Sequence, residues 1–123
     1  KGDYIWLLDD DDRCTRDSLV LELKALAVKH NPDVIMLKMN HGERGTLPDS
    51  YSWGKSVRCG NIGCSAFIVR REVFQRHASA WTPGHYASDY DFIASVFAED
   101  GIRIYWHNAV ASAVQRISLG EPA

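Results

Sequence analysis

A short apolar run that ends in four consecutive aspartates constrains this chain more than any other feature. Tyr4-Ile5-Trp6-Leu7-Leu8 is too short for a helix. It is also too continuous for a half-exposed strand, and it suits one covered on both faces, as in a parallel sheet. Asp9 to Asp12 end it. Successive side chains on a strand point to opposite faces, so Asp9 and Asp11 share a side and Asp10 opposes them. Ligands of open α/β sheets collect just beyond the carboxyl ends of the strands. Four adjacent carboxylates repel one another and are costly at the rim of a core unless a cation or an arginine compensates. Mg²⁺ and Mn²⁺ prefer such hard oxygen ligands and take one or two carboxylates plus substrate phosphates. The competing reading is a solvated acidic turn in which Asp12 or Asp17 caps a helix. On the cluster alone the two readings stand level.

The following segments extend the pattern. Asp17 or Ser18 can cap a helix whose Leu19, Leu23, Leu26 and Ala27 fall on one face. Lys29 and His30 suit its C-terminal dipole, and Pro32 lies just past its end. Val34 to Met39 reads as a second strand, so strand, acidic turn, helix and strand form a βαβ unit. Residues 40 to 61 are rich in glycine without a clean period, and a stretch this long inside a domain is usually functional. Ile62 to Val69 reads as a third strand, leading through Arg70 and Arg71 into a short helix to His77. Ser88 opens a helix with Phe92, Ile93, Val96 and Phe97 on its apolar face and Gly101 at its close. Ser88 and Asp91 have the spacing of a capping box. Ile102 to Trp106 is a fourth strand, and residues 109 to 117 suit strand or helix equally.

Composition narrows the function classes. At 123 residues, with 46% hydrophobic and 24% charged residues, the chain has the size and make-up of one folded unit. A net charge of -2 gives no support for nucleic acid as a partner. No apolar run is long enough to span a bilayer. Three cysteines, Cys14, Cys59 and Cys64, make an odd and sparse set, which argues against a disulfide framework and for reduced thiols in a cytosolic setting. Their spacing is also too loose for structural zinc. The apolar run starts almost at residue 1, which leads us to expect a piece of something longer.

Other acidic motifs fail. An EF-hand loop begun at Asp9 would need an acid or Asn at Arg13, Gly at Cys14 and Glu at Val20. Phosphatases of the haloacid dehalogenase type want Asp-x-Asp-x-Thr or Val, and no start within the cluster supplies it. There is no glycine loop of the P-loop or dinucleotide kind. A second acidic feature is Ser88-Asp89-Tyr90-Asp91-Phe92. A carboxylate at a helix N-terminus is stabilised as the anion and can accept a proton from a hydroxyl in a nearby cleft. Capping alone is the stronger reading when this feature is taken by itself.

Taken together, the blocks resemble the C-terminal half of the catalytic domain of a GT-A-fold glycosyltransferase of family 2. "GDYIWLLDDDD" resembles the strand and Asp-x-Asp motif, "GNIGCSAFIVRREVF" the central strand of the acceptor half, and "SDYDFIASVFAEDGIRIYWH" the base-bearing helix and the strand after it. The resemblance implies a partial GT-A α/β fold, a mixed sheet flanked by helices, with residues 1–123 forming one acceptor-side unit whose nucleotide-binding N-terminal half is missing. It places Asp9 and Asp11 on the two acids of Asp-x-Asp. Asp11, with Asp9, would hold Mn²⁺ or Mg²⁺, and Asp9 and Asp10 would face the nucleotide sugar. Asp89 falls on the catalytic base. Trp81, Ser88 and Asp91 are candidate acceptor contacts. The implied reaction moves a sugar from a nucleotide-diphosphate sugar to a hydroxyl of a saccharide, lipid or other acceptor, with inversion. The implied setting is cytoplasmic, at the inner membrane face where a longer protein carries the domain there.

The chain departs from the pattern in three places. Ser88 replaces the usual Glu before the base. Where many relatives carry a metal-touching histidine, this chain has Ser112 or Ala113, and His107 comes too early. The family's first half, which makes most contacts to the nucleotide, is absent, and its strands would lie beside Tyr4–Leu8. An uncovered strand there predicts self-association through Ile5, Trp6 and Leu7 unless residues 109 to 117 fold back over it. Alternative readings are a metal-binding α/β module without catalysis and a degenerate glycosyltransferase domain used for binding. Arg70 and Arg71 read as an exposed helix start, Cys64 and Tyr105–Trp106 as core, and Trp81 equally as core or as a sugar-stacking ring.

Overall fold

Val34–Asn40 forms the central strand of the molecule, buried on both faces over most of its length. A computed structural model of the chain describes residues 3–7, 12–14, 18–40, 45–49, 53–57, 62, 64–81 and 88–114. Within them the elements are β1 (Tyr4–Trp6), β2 (Asp12–Cys14), α1 (Leu19–His30), β3 (Val34–Asn40), β4 (Thr46–Leu47), β5 (Phe67–Arg70), α2 (Arg71–His77), α3 (Ser88–Phe97) and β6 (Ile104–Val114). The strands build one mixed sheet in the order β1-β5-β3-β6-β2, with β4 also on β3. β3 and β6 are parallel, and every other pairing is antiparallel. The chain is thus a mixed α/β sheet flanked by helices. No helix among the described residues is long and apolar enough to cross a membrane.

The period-two alternation of β3 divides the core into two layers. Val34 and Met36 point with Phe67 and Val69 of β5 toward α2 and α3, where they meet Val73, Phe92, Ile93 and Val96. Ile35 and Leu37 point the other way with Ile68, and Leu19 and Leu23 of α1 cover them. α1 uses the face expected of it. It closes on Asn31 in the left-handed conformation, whose N–H donates to the Ala27 carbonyl. Ser18 at its start makes no side-chain cap, and Asp17 lies outside the described residues.

Four expectations about the strands are corrected. First, β1 and β3 do not pair. β5 lies between them, so the βαβ unit is split, and β1 runs antiparallel to its neighbour. Second, β1 is half-buried and not covered on both faces, although among the described residues it stands at the end of the sheet, the uncovered edge expected of it. Third, the segment expected as a strand from Ile62 is a 3-10 turn at Cys64–Ala66 before a shorter β5. Fourth, β6 continues to Val114 and absorbs much of the ambiguous stretch. It pairs with β3 and β2, so up to Val114 it does not cover β1.

A polar rivet closes the amino edge of the sheet. The Asp33 carboxylate accepts from Arg70 Nε at 3.1 Å and from the Arg103 N–H at 3.0 Å. Arg70 also donates to Asn31 Oδ1 at 2.7 Å and to the Pro32 carbonyl at 2.8 Å. Tyr4 donates to that same carbonyl at 2.7 Å, and burial raises its phenol above the usual tyrosine range. Arg70 is therefore a tie between strands and not the exposed helix start expected of it.

Candidate functional site at the carboxyl edge

β1, β3 and β6 run in one direction, so their carboxyl ends share one edge of the sheet. The acidic run belongs in sequence to that edge. Asp9, Asp10 and Asp11 lie outside the described residues, but the structure places both flanks. On one side, the Trp6 indole N–H donates to the Ser65 carbonyl at 2.8 Å. On the other, Asp12, Arg13 and Cys14 pair with Val114, Ala113 and Ser112. The two flanks are joined through a buried hydroxyl pair: Ser65 Oγ and Ser112 Oγ stand 2.9 Å apart, both fully buried. Ser65 Oγ also reaches Met39 Sδ at 3.8 Å. A buried hydroxyl needs a partner, and here each serine supplies the other's. Ser112, one of the two positions where a metal-touching histidine was sought, is a strand lock inside the core.

Asp89 opens the second part of the site. It lies half-buried in the first turn of α3, and its Oδ1 accepts the Tyr90 N–H at 2.7 Å. That bond neutralises an orphan donor of the helix start and orients the carboxylate. Ser88 and Asp91 share the turn and are also half-buried. One turn on, Phe92 rests on Phe67 (ring centroids 5.9 Å), which opens β5 two residues after Ser65. Phe97 meets Trp106 edge-on at 5.9 Å, so α3 crosses the sheet from β5 to β6. Trp81 packs against Phe92 at 5.6 Å, so its ring serves the core. Ser88, Asp89, Asp91 and Trp81 are thus gathered around the start of α3. His107 is not among them: it faces α1, 3.1 Å from Glu22.

The donor set of the acidic run suits a hard divalent cation, since carboxylate oxygens at a strand end are what Mg²⁺ and Mn²⁺ take. No group of three or more His, Cys, Asp or Glu that could hold a metal is present among the described residues. Sequence reasoning missed β2, the serine pair and an irregularity in β6. Between Met36 and Lys38 the partner on β6 moves from Trp106 to Val110, and from Lys38 to Met39 it moves on to Ser112. The first shift loops out residues between Trp106 and Val110, Asn108 and Ala109 among them, and the second passes over Ala111, which stays fully buried. Bulges gather next to functional sites, but nothing in local composition announces one.

No known family profile matches the chain, and no curated protein matches it. Solved structures do. The chain is similar to S. aureus TarS 1–349 with a TM-score of 0.65 at 16% identity, over 94% of this chain and 36% of that one. It is similar to the same protein in complex with UDP-GlcNAc with a TM-score of 0.69 at 16% identity, over 98% and 36%. For the complex with UDP the TM-score is 0.63 at 16% identity, over 93% and 36%. The chain therefore spans about a third of the length of the structure it matches, and what the two share is the fold: a mixed sheet with helices on both faces.

Proposed function

We propose that this chain is the acceptor-side part of a metal-dependent glycosyltransferase that moves a sugar from a nucleotide-diphosphate sugar to an acceptor hydroxyl with inversion. The observation that carries this is a fold shared, over nearly all of the chain, with a protein solved with UDP-GlcNAc and with UDP. The acidic run beyond β1 and the acid at the start of α3 supply the two chemistries such a transfer needs. Asp89 takes the proton of the acceptor hydroxyl as its oxygen bonds to the anomeric carbon. The bond from that carbon to the diphosphate breaks, and its electron pair leaves on the phosphate oxygen. Asp11 and Asp9 would hold the divalent metal, which when bound supplies positive charge against the diphosphate. Asp10 would lie on the nucleotide side. Ser88 and Asp91 would meet the acceptor beside Asp89, and Trp81, whose half-buried ring packs on Phe92, would touch it only at its margin.

The test is Asp89→Asn in a transfer assay with a UDP-sugar, carried in the longest form of the protein. A general base acts on the acceptor, so its loss lowers turnover and leaves donor affinity unchanged. Removing a general base costs about 10²–10⁴-fold in rate. Wild-type turnover in the variant would reduce Asp89 to a helix cap.

A further inference from the structure

α1 is apolar on two opposite faces. Leu19 and Leu23 cover the sheet, and Leu19 is fully buried. On the far side Leu21, Ala25 and Val28 follow one another along the helix at the spacing of a single stripe. Leu21 is 71% exposed, Val28 86%, and Val20 beside them 55%. Of the four large hydrophobic side chains left exposed among the described residues, three are therefore on this one helix. A surface helix ordinarily turns polar groups outward, and a helix that is apolar all round is one that is covered all round.

The charges on this face decide what covers it. Its residues are Val20, Leu21, Lys24, Ala25, Val28 and Lys29, all exposed. Leu21 and Val28 make the crest and the lysines its shoulders, where their stems can lie along apolar surface while the ammonium groups reach outward. None of the six is an acid. The one glutamate of α1, Glu22, is turned to β6, where it meets His107 at 3.1 Å. Asp33, just past the helix, is held by Arg70 and Arg103. The acidic run precedes α1 in sequence, and from Leu19 to Val28 the helix advances about 14 Å, beyond a screening length of about 8 Å at physiological salt.

Cations among exposed apolar side chains match an anionic surface with an apolar interior. A second copy matches less well, because two-fold pairing of this face would set lysines against lysines. A specific protein interface also takes about 20–30 residues a side, and this face offers six. A bilayer sets no such minimum: binding grows with the apolar area inserted and with attraction to anionic lipid. At 12 residues α1 is too short to cross the membrane, so it would lie along it. We propose that the outer face of α1 docks this chain on an anionic lipid bilayer. Leu21 and Val28 enter the boundary of the acyl chains, and Lys24 and Lys29 meet the headgroup phosphates. The opposite face of the sheet, with α2 and α3, points away from the lipid.

Flotation of the full chain with lipid vesicles tests this. The probes are vesicles of phosphatidylcholine alone, and of phosphatidylcholine and phosphatidylglycerol in equal parts. The expected result is flotation with the mixed vesicles, little with the neutral ones, and release as salt is raised. Lys24→Gln and Lys29→Gln should each weaken partition about fivefold, the worth of one cation near an anionic surface. Leu21→Ala and Val28→Ala should each weaken it about tenfold through the apolar surface they withdraw from lipid. These positions are exposed and alanine favours helix, so the variants keep the fold, which circular dichroism checks. Ile5→Lys, on the β1 edge, should leave flotation unchanged. Equal partition of wild type and the two alanine variants, or equal flotation with neutral and mixed vesicles, would overturn the assignment. So would a chain that does not float but self-associates in a way that Val28→Ala relieves, since the face would then join two copies.

Discussion

His77 Nε2 stands 2.6 Å from Glu99 Oε1, and the other nitrogen of the same ring is 2.7 Å from Ser95 Oγ. The ring thereby ties the end of α2 to the last turn of α3 and the residues just after it. Arg76 joins it with a 2.8 Å bond to Glu99 Oε2. A carboxylate just past a helix C-terminus meets an unfavourable dipole, and these two partners offset it. The His77 hydrogen bond, then the Arg76 one, holds the Glu99 carboxyl below its usual value of 4.5. A depressed folded-state pKa contributes stability above the unfolded value and loses it as pH falls through the folded one. Urea midpoints should therefore drop below pH 4.5, and Glu99→Gln should flatten that part of the profile. An unchanged slope in the variant would mean that other carboxylates govern acid unfolding.

Asp11→Asn tests the acidic run directly. Changing a group one shell out from a metal already weakens binding about 10–100-fold, so loss of a ligand should cost no less. Mn²⁺ titration in the presence of a UDP-sugar gives the comparison. Equal affinity in wild type and variant would remove Asp11 from the metal site.

The serine pair makes a prediction about stability. Ser112→Ala leaves Ser65 Oγ buried with the weak Met39 sulfur as its described partner, and an unsatisfied buried hydroxyl costs about 1–3 kcal/mol. Replacing both serines removes both polar groups together. The double variant should therefore lose less than the two single losses combined. Additive losses in a denaturation cycle would show that the two hydroxyls do not depend on each other.

β1 pairs with β5 on one side, and among the described residues no strand lies on its other side. An apolar edge with open backbone groups pairs with another chain. Sedimentation at micromolar concentration should show concentration-dependent association, relieved by Ile5→Lys. A monomer at all concentrations would refute this.

The elements legible in the sequence were those fixed by local pattern. α1, α2 and α3 have apolar residues at helical spacing, and β3 is a run of apolar residues bounded by Pro32 and a polar stretch. Each of these depends on neighbours in sequence. What could not be read was set by partners far along the chain. Ser112 looks like any serine until Ser65 is brought to it. Asp12–Cys14 has no strand pattern and becomes β2 because β6 offers an edge. The order of the strands was equally hidden: nothing near Tyr4 says that Arg70, and not Val34, will stand beside it. Of the candidate site, Asp89 and its helix start were legible, whereas the bulge in β6 is revealed only by the strand it pairs with.

The insertion of β5 between β1 and β3 also bears on how the molecule assembles. Tyr4 waits for Arg70, Val34 for Ile104, and Asp12 for Val114. Each of these closes a long loop before it is rewarded, which makes folding slow relative to a chain of local contacts. The two strands that bracket the acidic run are joined to strands synthesised much later. A nascent chain ending before β6 would have α1 without its full sheet and β2 without its partner. The carboxyl edge therefore forms together with the whole sheet, and a partly folded chain has no such edge to offer a ligand.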